Sequence, residues 1–386
     1  MSLSLRPSRV SIQGKKYLWL ISVASPAMAG IGALMLIAGA SPLWSWFAIA
    51  VYYGLVPALD LLIGEDPYNP PDEMVEELSL DPWYRSLLFA TIPISLLSLC
   101  LSVVAVGSLD LPFWAVLGVL LGAAATSGPA LVIGHELGHK PGRLDQFGAK
   151  IACALSGYAH FCIEHNRGHH VQVATPEDPA SARFGESLYA FALREIPGAM
   201  QRGWQLEARR LERKGLSFWH WRNDLLQGYA LHAVLVAGSV AAFGWPMLVF
   251  FVFHDALSWF HLTMANYVEH YGLLRRKDAS GRYESCQPRH SWNTNHIVSN
   301  LMLFHLQRHS DHHANPSRPY QALRNFEELP RLPSGYPGCF LLALVPPLWF
   351  AVMDRKALEW AGGDMTRLNR GFTADQPQPA GTIGAG

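Results

Sequence analysis

The sequence predicts an all-α integral membrane protein: six transmembrane helices with a cytoplasmic helical cap that carries clustered histidines. Three observations predict it. Half of the 386 residues are hydrophobic and only 16% are charged, against about 25% in ordinary soluble chains. The 30 lysines and arginines sit in a few segments, with none from Tyr17 to Tyr84, Ser86 to His139 or Asn223 to Leu274. Within those gaps lie apolar runs long enough for a hydrocarbon core of about 30 Å, which takes roughly 20 helical residues.

Taken in order, the runs place spans at 17–40, 43–63, 87–107, 111–134, 226–244 and 245–265. The first follows Arg6, Arg9, Lys15 and Lys16; it is too long for a signal peptide and lacks a clear cleavage signal. The third and fourth meet at Ser108–Asp110 without a positive charge between them. An even number of spans returns both termini to one side, and that side carries every Lys and Arg. The positive-inside rule then predicts cytoplasmic termini and cytoplasmic loops 135–225 and 266–370, in a multi-pass protein of the inner membrane.

Between the spans, residues 64–86 read as a rigid acidic connector and Glu195–Lys214 as a charged helix. Phe147–Ile163 and Tyr336–Met353 are apolar but short or Pro-interrupted, and are expected to be interfacial or re-entrant segments. Residues 1–370 read as a single membrane-embedded domain and 371–386 as a flexible tail or linker. Formal net charge is zero, so nothing points to nucleic acid. The five cysteines form no Cys-x-x-Cys pair, which excludes a zinc ribbon or a disulfide framework.

The chemistry lies in the 17 histidines. Box one is His135-Glu136-Leu137-Gly138-His139; box two runs from Glu164 through His165, His169 and His170; box three holds His309, His312 and His313; His270 stands alone in Asn266–Gly272. Spacings of three and four put side chains on one helix face, where two imidazoles reach one metal. If the fourth and sixth spans continue as helix to His139 and His270, their lengths of roughly 43 and 39 Å exceed the hydrocarbon thickness. Nine imidazoles then meet in one layer at the cytoplasmic edge. A zinc protease reading of His-Glu-x-x-His leaves six of them without a role, and a transporter would distribute its ligands along a path through the spans. Nine ligands suit two metals, although imidazole alone does not choose between iron, copper, nickel and zinc.

The boxes His-x-x-x-His, His-x-x-x-His-His and His-x-x-His-His resemble those of the membrane-bound fatty-acid desaturase and hydroxylase superfamily. The strings His135–Lys140, Asn266–Gly272 and Leu306–Ala314 are similar to its alkane 1-monooxygenase branch, over most of the chain from the second span to about Gly363. The resemblance implies a non-haem diiron centre held by His135, His139, His165, His169, His170, His270, His309, His312 and His313, with no further catalytic side chain. It also implies O2-dependent terminal hydroxylation of medium-chain n-alkanes, with electrons from a rubredoxin reduced by an NADH-dependent reductase. A rubredoxin would show two Cys-x-x-Cys pairs, so the donor is expected as a separate chain or a once-fused domain. The three boxes alone also permit a desaturase, an aromatic-methyl hydroxylase, or a non-enzymatic metal-binding membrane protein.

Metal-bound imidazoles need orientation through the second ring nitrogen; Glu136, Glu164, Asn266, Glu269 and Asp311 are the candidates within the boxes. An alkane offers no polar contact, so its channel should be apolar. Helical spacing back from His135 and His270 nominates Gly128, Leu131 and Val132, and Trp259, Leu262, Thr263 and Asn266; Tyr52 or Tyr53 is expected to close the far end.

Overall fold

A computed structural model describes residues 12–372. Arg6, Arg9 and the expected tail from residue 373 onward lie outside the described residues. The elements that matter here are α1 (Lys15–Ala24), α2 (Ala27–Ile37), α3 (Pro42–Ile63), α4 (Asp72–Leu80), α5 (Pro82–Ser108), α6 (Phe113–Gly138), α7 (Arg143–Ala154), α8 (residues 161–172), α9 (Leu188–Glu212), α10 (Asp224–Phe243), α11 (Pro246–His270), α12 (Ile297–Met302), α13 (His309–Ala314), α14 (Tyr336–Ala343) and α15 (Pro346–Trp360). Among the described residues, β structure is confined to isolated bridges such as Glu65 with His296 and Leu273 with Leu368. The chain is a mostly helical, multi-pass membrane protein.

Among the described residues, five helices are long and apolar enough to cross a membrane, α3, α5, α6, α10 and α11, or up to seven if each of two bent helix pairs counts as one span. The expected continuous span at 17–40 is instead broken, α1 and α2 meeting at 49°. Pro26 sits at the break, where its missing N–H and its ring interrupt the helical ladder. The apolar stretch after Tyr336 forms α14 and α15, which fold back on each other by 118° at the Val345–Pro346 corner. The ends of the hairpin helices follow from local chemistry. Asp81 and Asn223 accept hydrogen bonds from the first free backbone N–H groups of α5 and α10. Gly244, at φ 85°, ends α10 in a conformation that an L side chain resists and turns the chain into α11.

α6 is the most enclosed of the five spans and α10 the least. Small residues let α6 sit at the centre: a Cβ added to Gly118 would stand 2.6 Å from Ser45 Oγ, and one on Gly134 would stand 2.5 Å from Cys153 Sγ. α6 packs against α5, α7 and α11. The buried carboxylate of Asp60 in α3 accepts the backbone N–H groups of Val298 and Ser299 (3.0 and 3.1 Å), tying the start of α12 to that span. The acidic connector is partly helical, as α4, and the charged stretch expected at Glu195–Lys214 begins earlier, at Leu188.

Candidate metal centre

α6 remains helical to Gly138 with His139 as its cap, and α11 runs unbroken to His270. Box one and His270 therefore leave the bundle at the same end. Box two lies on α8, whose residues His165–His169 form a π turn between two α segments. Box three is α13. Its entry is fixed by Arg308, a buried guanidinium that donates to the carbonyls of Leu323 (2.7 Å), Asp66 (2.8 Å) and Tyr68 (3.0 Å).

The nine histidines come together in two groups. His135, His139, His165, His170 and His312 form one; His169, His270, His309 and His313 form the other; within each, one ring nitrogen per residue lies within 4.8 Å of all the rest. In the first, His135 and His312 meet nitrogen to nitrogen at 2.8 Å, and His170 stands 3.0 Å from both His165 and His312. In the second, His313 lies 2.8 Å and His270 3.3 Å from His309, again through Nε2. Sharing a helix face does not mean sharing a group. His309 and His313 join one and His312 the other. The π turn does the same for box two: it pairs His165 with His170, five residues on, and sends His169 to the other group.

This donor set fits metal ions. A neutral imidazole has one N–H and one lone pair, so clustered Nε2 atoms cannot all satisfy one another. Nδ1 of His135, His170, His309, His312 and His313, and Nε2 of His139 and His169, are buried without a hydrogen-bond partner. Burial, reinforced by the neighbouring imidazoles, holds His165, His170, His309, His312 and His313 well below the ordinary imidazole range. They are thus neutral, the form that ligates. Groups of five and four imidazoles are able to bind one metal ion each.

The orienting residues differ from the sequence expectation. Glu164 pairs with Arg202 (2.8 Å to Nε), Asn266 donates to Glu195 (3.1 Å), and Asp311 is held by Arg318 (2.6 Å to each oxygen) and by Asn315. None of the three is bonded to an imidazole, because stronger or closer partners occupy them. Glu136 lies 3.9 Å from His135 Nδ1, beyond hydrogen-bond reach. Glu269 accepts from Tyr336 Oη at 2.7 Å and stands 3.2 Å from His309 Nε2, on the side of that ring where its group converges. The carboxylate that does hold a ring nitrogen is Asp178, 2.8 Å from His169 Nδ1. It lies in the loop after α8, where no box marks it. His270 turns Nδ1 toward Ser291 Oγ at 3.5 Å.

A cavity reaches these groups from within the bundle. Near the histidines its walls are Leu131, Val132, Leu262, Ala265, Asn266 and Leu306, with Glu269, His135, His165 and His309 at the end. Val132, Leu262, Ala265 and Leu306 also line a second, more apolar chamber with Tyr52, Tyr53, Gly128, His261 and Phe340. Tyr52, Gly128, Leu131, Val132 and Leu262 thus lie where a channel was expected. Trp259 and Thr263 do not: Trp259 stacks on Tyr158 and donates to Ser156 O (2.8 Å), and Thr263 donates to Glu195 (2.6 Å). Tyr53, the alternative to Tyr52 at the far end, lines the same chamber; sequence spacing missed Leu306 and Phe340, which reach the cavity from other elements. Tyr52 turns its hydroxyl out to Ser25 O (2.7 Å), and Tyr53 bonds His261. His254 bonds Ser127 and Asp255 within the bundle, each at 3.0 Å. The side chains of His160, His290, His296 and His305 make their contacts elsewhere, with Tyr229, Gln287, Thr294 and Tyr320 respectively.

The fatty acid desaturase family matches residues 111–342. An alkane 1-monooxygenase of Pseudomonas putida is 48% identical over 92% of this chain and 89% of its own length. Alkane 1-monooxygenase 1 of Alcanivorax borkumensis is 47% identical over 92% of this chain and 88% of its own. The xylene/toluene monooxygenase hydroxylase component XylM of Pseudomonas putida is more distant, 30% identical over 82% of this chain and 84% of its own.

Proposed function

The chain belongs to the alkane 1-monooxygenase family, and from that membership we propose that it is a non-haem diiron monooxygenase converting medium-chain n-alkanes to 1-alkanols. O2 is the co-substrate. One oxygen atom enters the terminal C–H bond and the other leaves as water, which consumes two electrons and two protons. The electrons come from a rubredoxin, itself reduced by an NADH-dependent reductase. The protein lies in the inner membrane with its termini and histidine groups facing the cytoplasm, in keeping with the side on which its Lys and Arg collect.

One observation carries this reading: an apolar cavity ends at His135, His165 and His309, which belong to a set of nine converging imidazoles. His135, His139, His165, His170 and His312 would hold one iron, and His169, His270, His309 and His313 the other. The bound irons supply the oxygen chemistry that no side chain can perform on a methyl group. The chain's own residues do the rest. Val132, Leu262, Ala265 and Leu306 grip the alkyl chain and keep water from its end. Tyr52 at the far chamber limits how much chain fits. Because an alkane gives no polar handle, orientation rests on the shape of that cavity.

The test is metal content of the purified chain, measured beside 1-octanol formation from octane with rubredoxin, reductase, NADH and O2. About two irons per chain, matching the two histidine groups, together with 1-octanol, is the expected result. Stoichiometric zinc and no alcohol after iron reconstitution would overturn the proposal.

A further inference from the structure

Of the nine clustered imidazoles, His169 is the one whose outer nitrogen rests on a carboxylate. That carboxylate is itself tightly held. Asp178 Oδ2 faces His169 Nδ1 at 2.8 Å and accepts the Ser181 hydroxyl at 2.6 Å. Its Oδ1 accepts Arg202 Nη2 at 2.7 Å and the Ala180 N–H at 3.3 Å. Arg202 also bonds Glu164 and donates to Gln172 (2.6 Å). Asp178 is fully buried, and Ala174 N–H donates to Ser181 Oγ at 2.8 Å, so the loop closes on itself around the carboxylate.

Charge counting gives this arrangement a direction. One guanidinium lies between two carboxylates, which leaves a net negative charge in a buried network. Isolating charge from water costs several kcal/mol per ion, so a structural role alone would be served as well by apolar packing. The excess charge meets the metal groups at one ring. His169 belongs to the four-histidine group; among the described residues, the five-histidine group has no carboxylate within hydrogen-bond reach of an imidazole, Glu136 standing 3.9 Å from His135 Nδ1. A carboxylate on an imidazole N–H fixes the tautomer and makes the other nitrogen a stronger donor to metal.

We propose that Asp178 is a positioning residue that fixes His169 and makes the two metal positions unequal, the four-histidine position being the one that stabilises the higher charge. This rests on the two-iron reading above. It divides carboxylate support unevenly between two positions with nearly the same set of imidazoles.

The test is iron content and the Mössbauer spectrum of the full-length protein carrying Asp178→Asn, with Glu164→Gln as control. Glu164 shares Arg202 but is bonded to no imidazole, so a merely structural network would make the two variants alike. The expected result is that D178N weakens one of the two iron populations by roughly 10–100-fold and leaves the other component of the spectrum as in the wild type, while E164Q retains both. Both components unchanged in D178N, both altered equally, or equal loss in E164Q would overturn the proposal. If D178N does not accumulate in membranes, Ser181→Ala carries the test: it removes a competing donor from the same oxygen and should shift that one component alone. No change in S181A, or equal change in both components, would then count against it. A wild-type chain that binds fewer than two irons defeats the parent reading, and this one with it.

Discussion

Glu195 illustrates how much a single buried group can decide. Its carboxylate lies on α9, nearly inaccessible, and its partners are the neutral donors Thr263 and Asn266. Burial pushes it up to about 7 from its ordinary value of 4.5, the nearby charges of Glu164 and Asp178 adding to the effect. The folded state therefore holds this proton more tightly than the unfolded chain. Stability from that difference is fully present below about pH 4.5 and is lost as pH rises through about 7. Glu195→Gln should flatten the dependence: its unfolding temperature in detergent should match the wild type near pH 5 and exceed it by a few degrees near pH 8. Equal falls in both proteins between those values would show that Glu195 is not the group responsible. The nine histidines were all nameable from their spacing and from a family resemblance. Asp178 was not, because a loop carboxylate nine positions from its partner carries no periodic signal.

At the scale of elements, the hydrophobic runs located the spans because lipid imposes a length that composition reveals. What they could not reveal were departures from the α repeat. The π turns at Val51–Leu55 and His165–His169 have no residue signature, yet the second decides which iron position His169 would serve. Helical spacing likewise found the cavity walls contributed by α6 and part of α11, but missed those from α14 and from the loop at Leu303–Leu306, whose approach is tertiary. Gly128 offers a direct check on the cavity. A Cβ there would meet only His261, at an ordinary 3.8 Å, so a larger side chain can enter the open chamber without displacing backbone. Gly128→Phe should cut turnover of the longer n-alkanes at least about tenfold, a transition-state penalty of roughly 1.4 kcal/mol, while iron content stays at the wild-type level. Product analysis across a homologous series checks it; an unchanged profile would remove Gly128 from the substrate path.

For the whole molecule, the organising fact is that four separate helical segments, α6, α8, α11 and α13, deliver imidazoles to one layer. Sequence alone made that layer legible through a length argument, since α6 and α11 outrun the bilayer on the same side. The partition into five and four was not legible. It depends on how α8 and α13 rotate against the bundle. The partition also has a cellular consequence. Residues as distant in sequence as His135 and His312 share a group, and without ions their converging lone pairs gain nothing by staying together. Under the proposed two-iron reading, iron would act as the last fastener of the segments that carry the boxes, and metal affinity would become folding free energy. In cells starved of iron, newly made chains should be cleared by proteases before they can be stored as apoprotein. A pulse-chase comparison should show a half-life several-fold shorter under iron depletion, and equal half-lives would count against this coupling. The quantity of enzyme in the membrane, as well as its activity, would then report the iron supply of the cell.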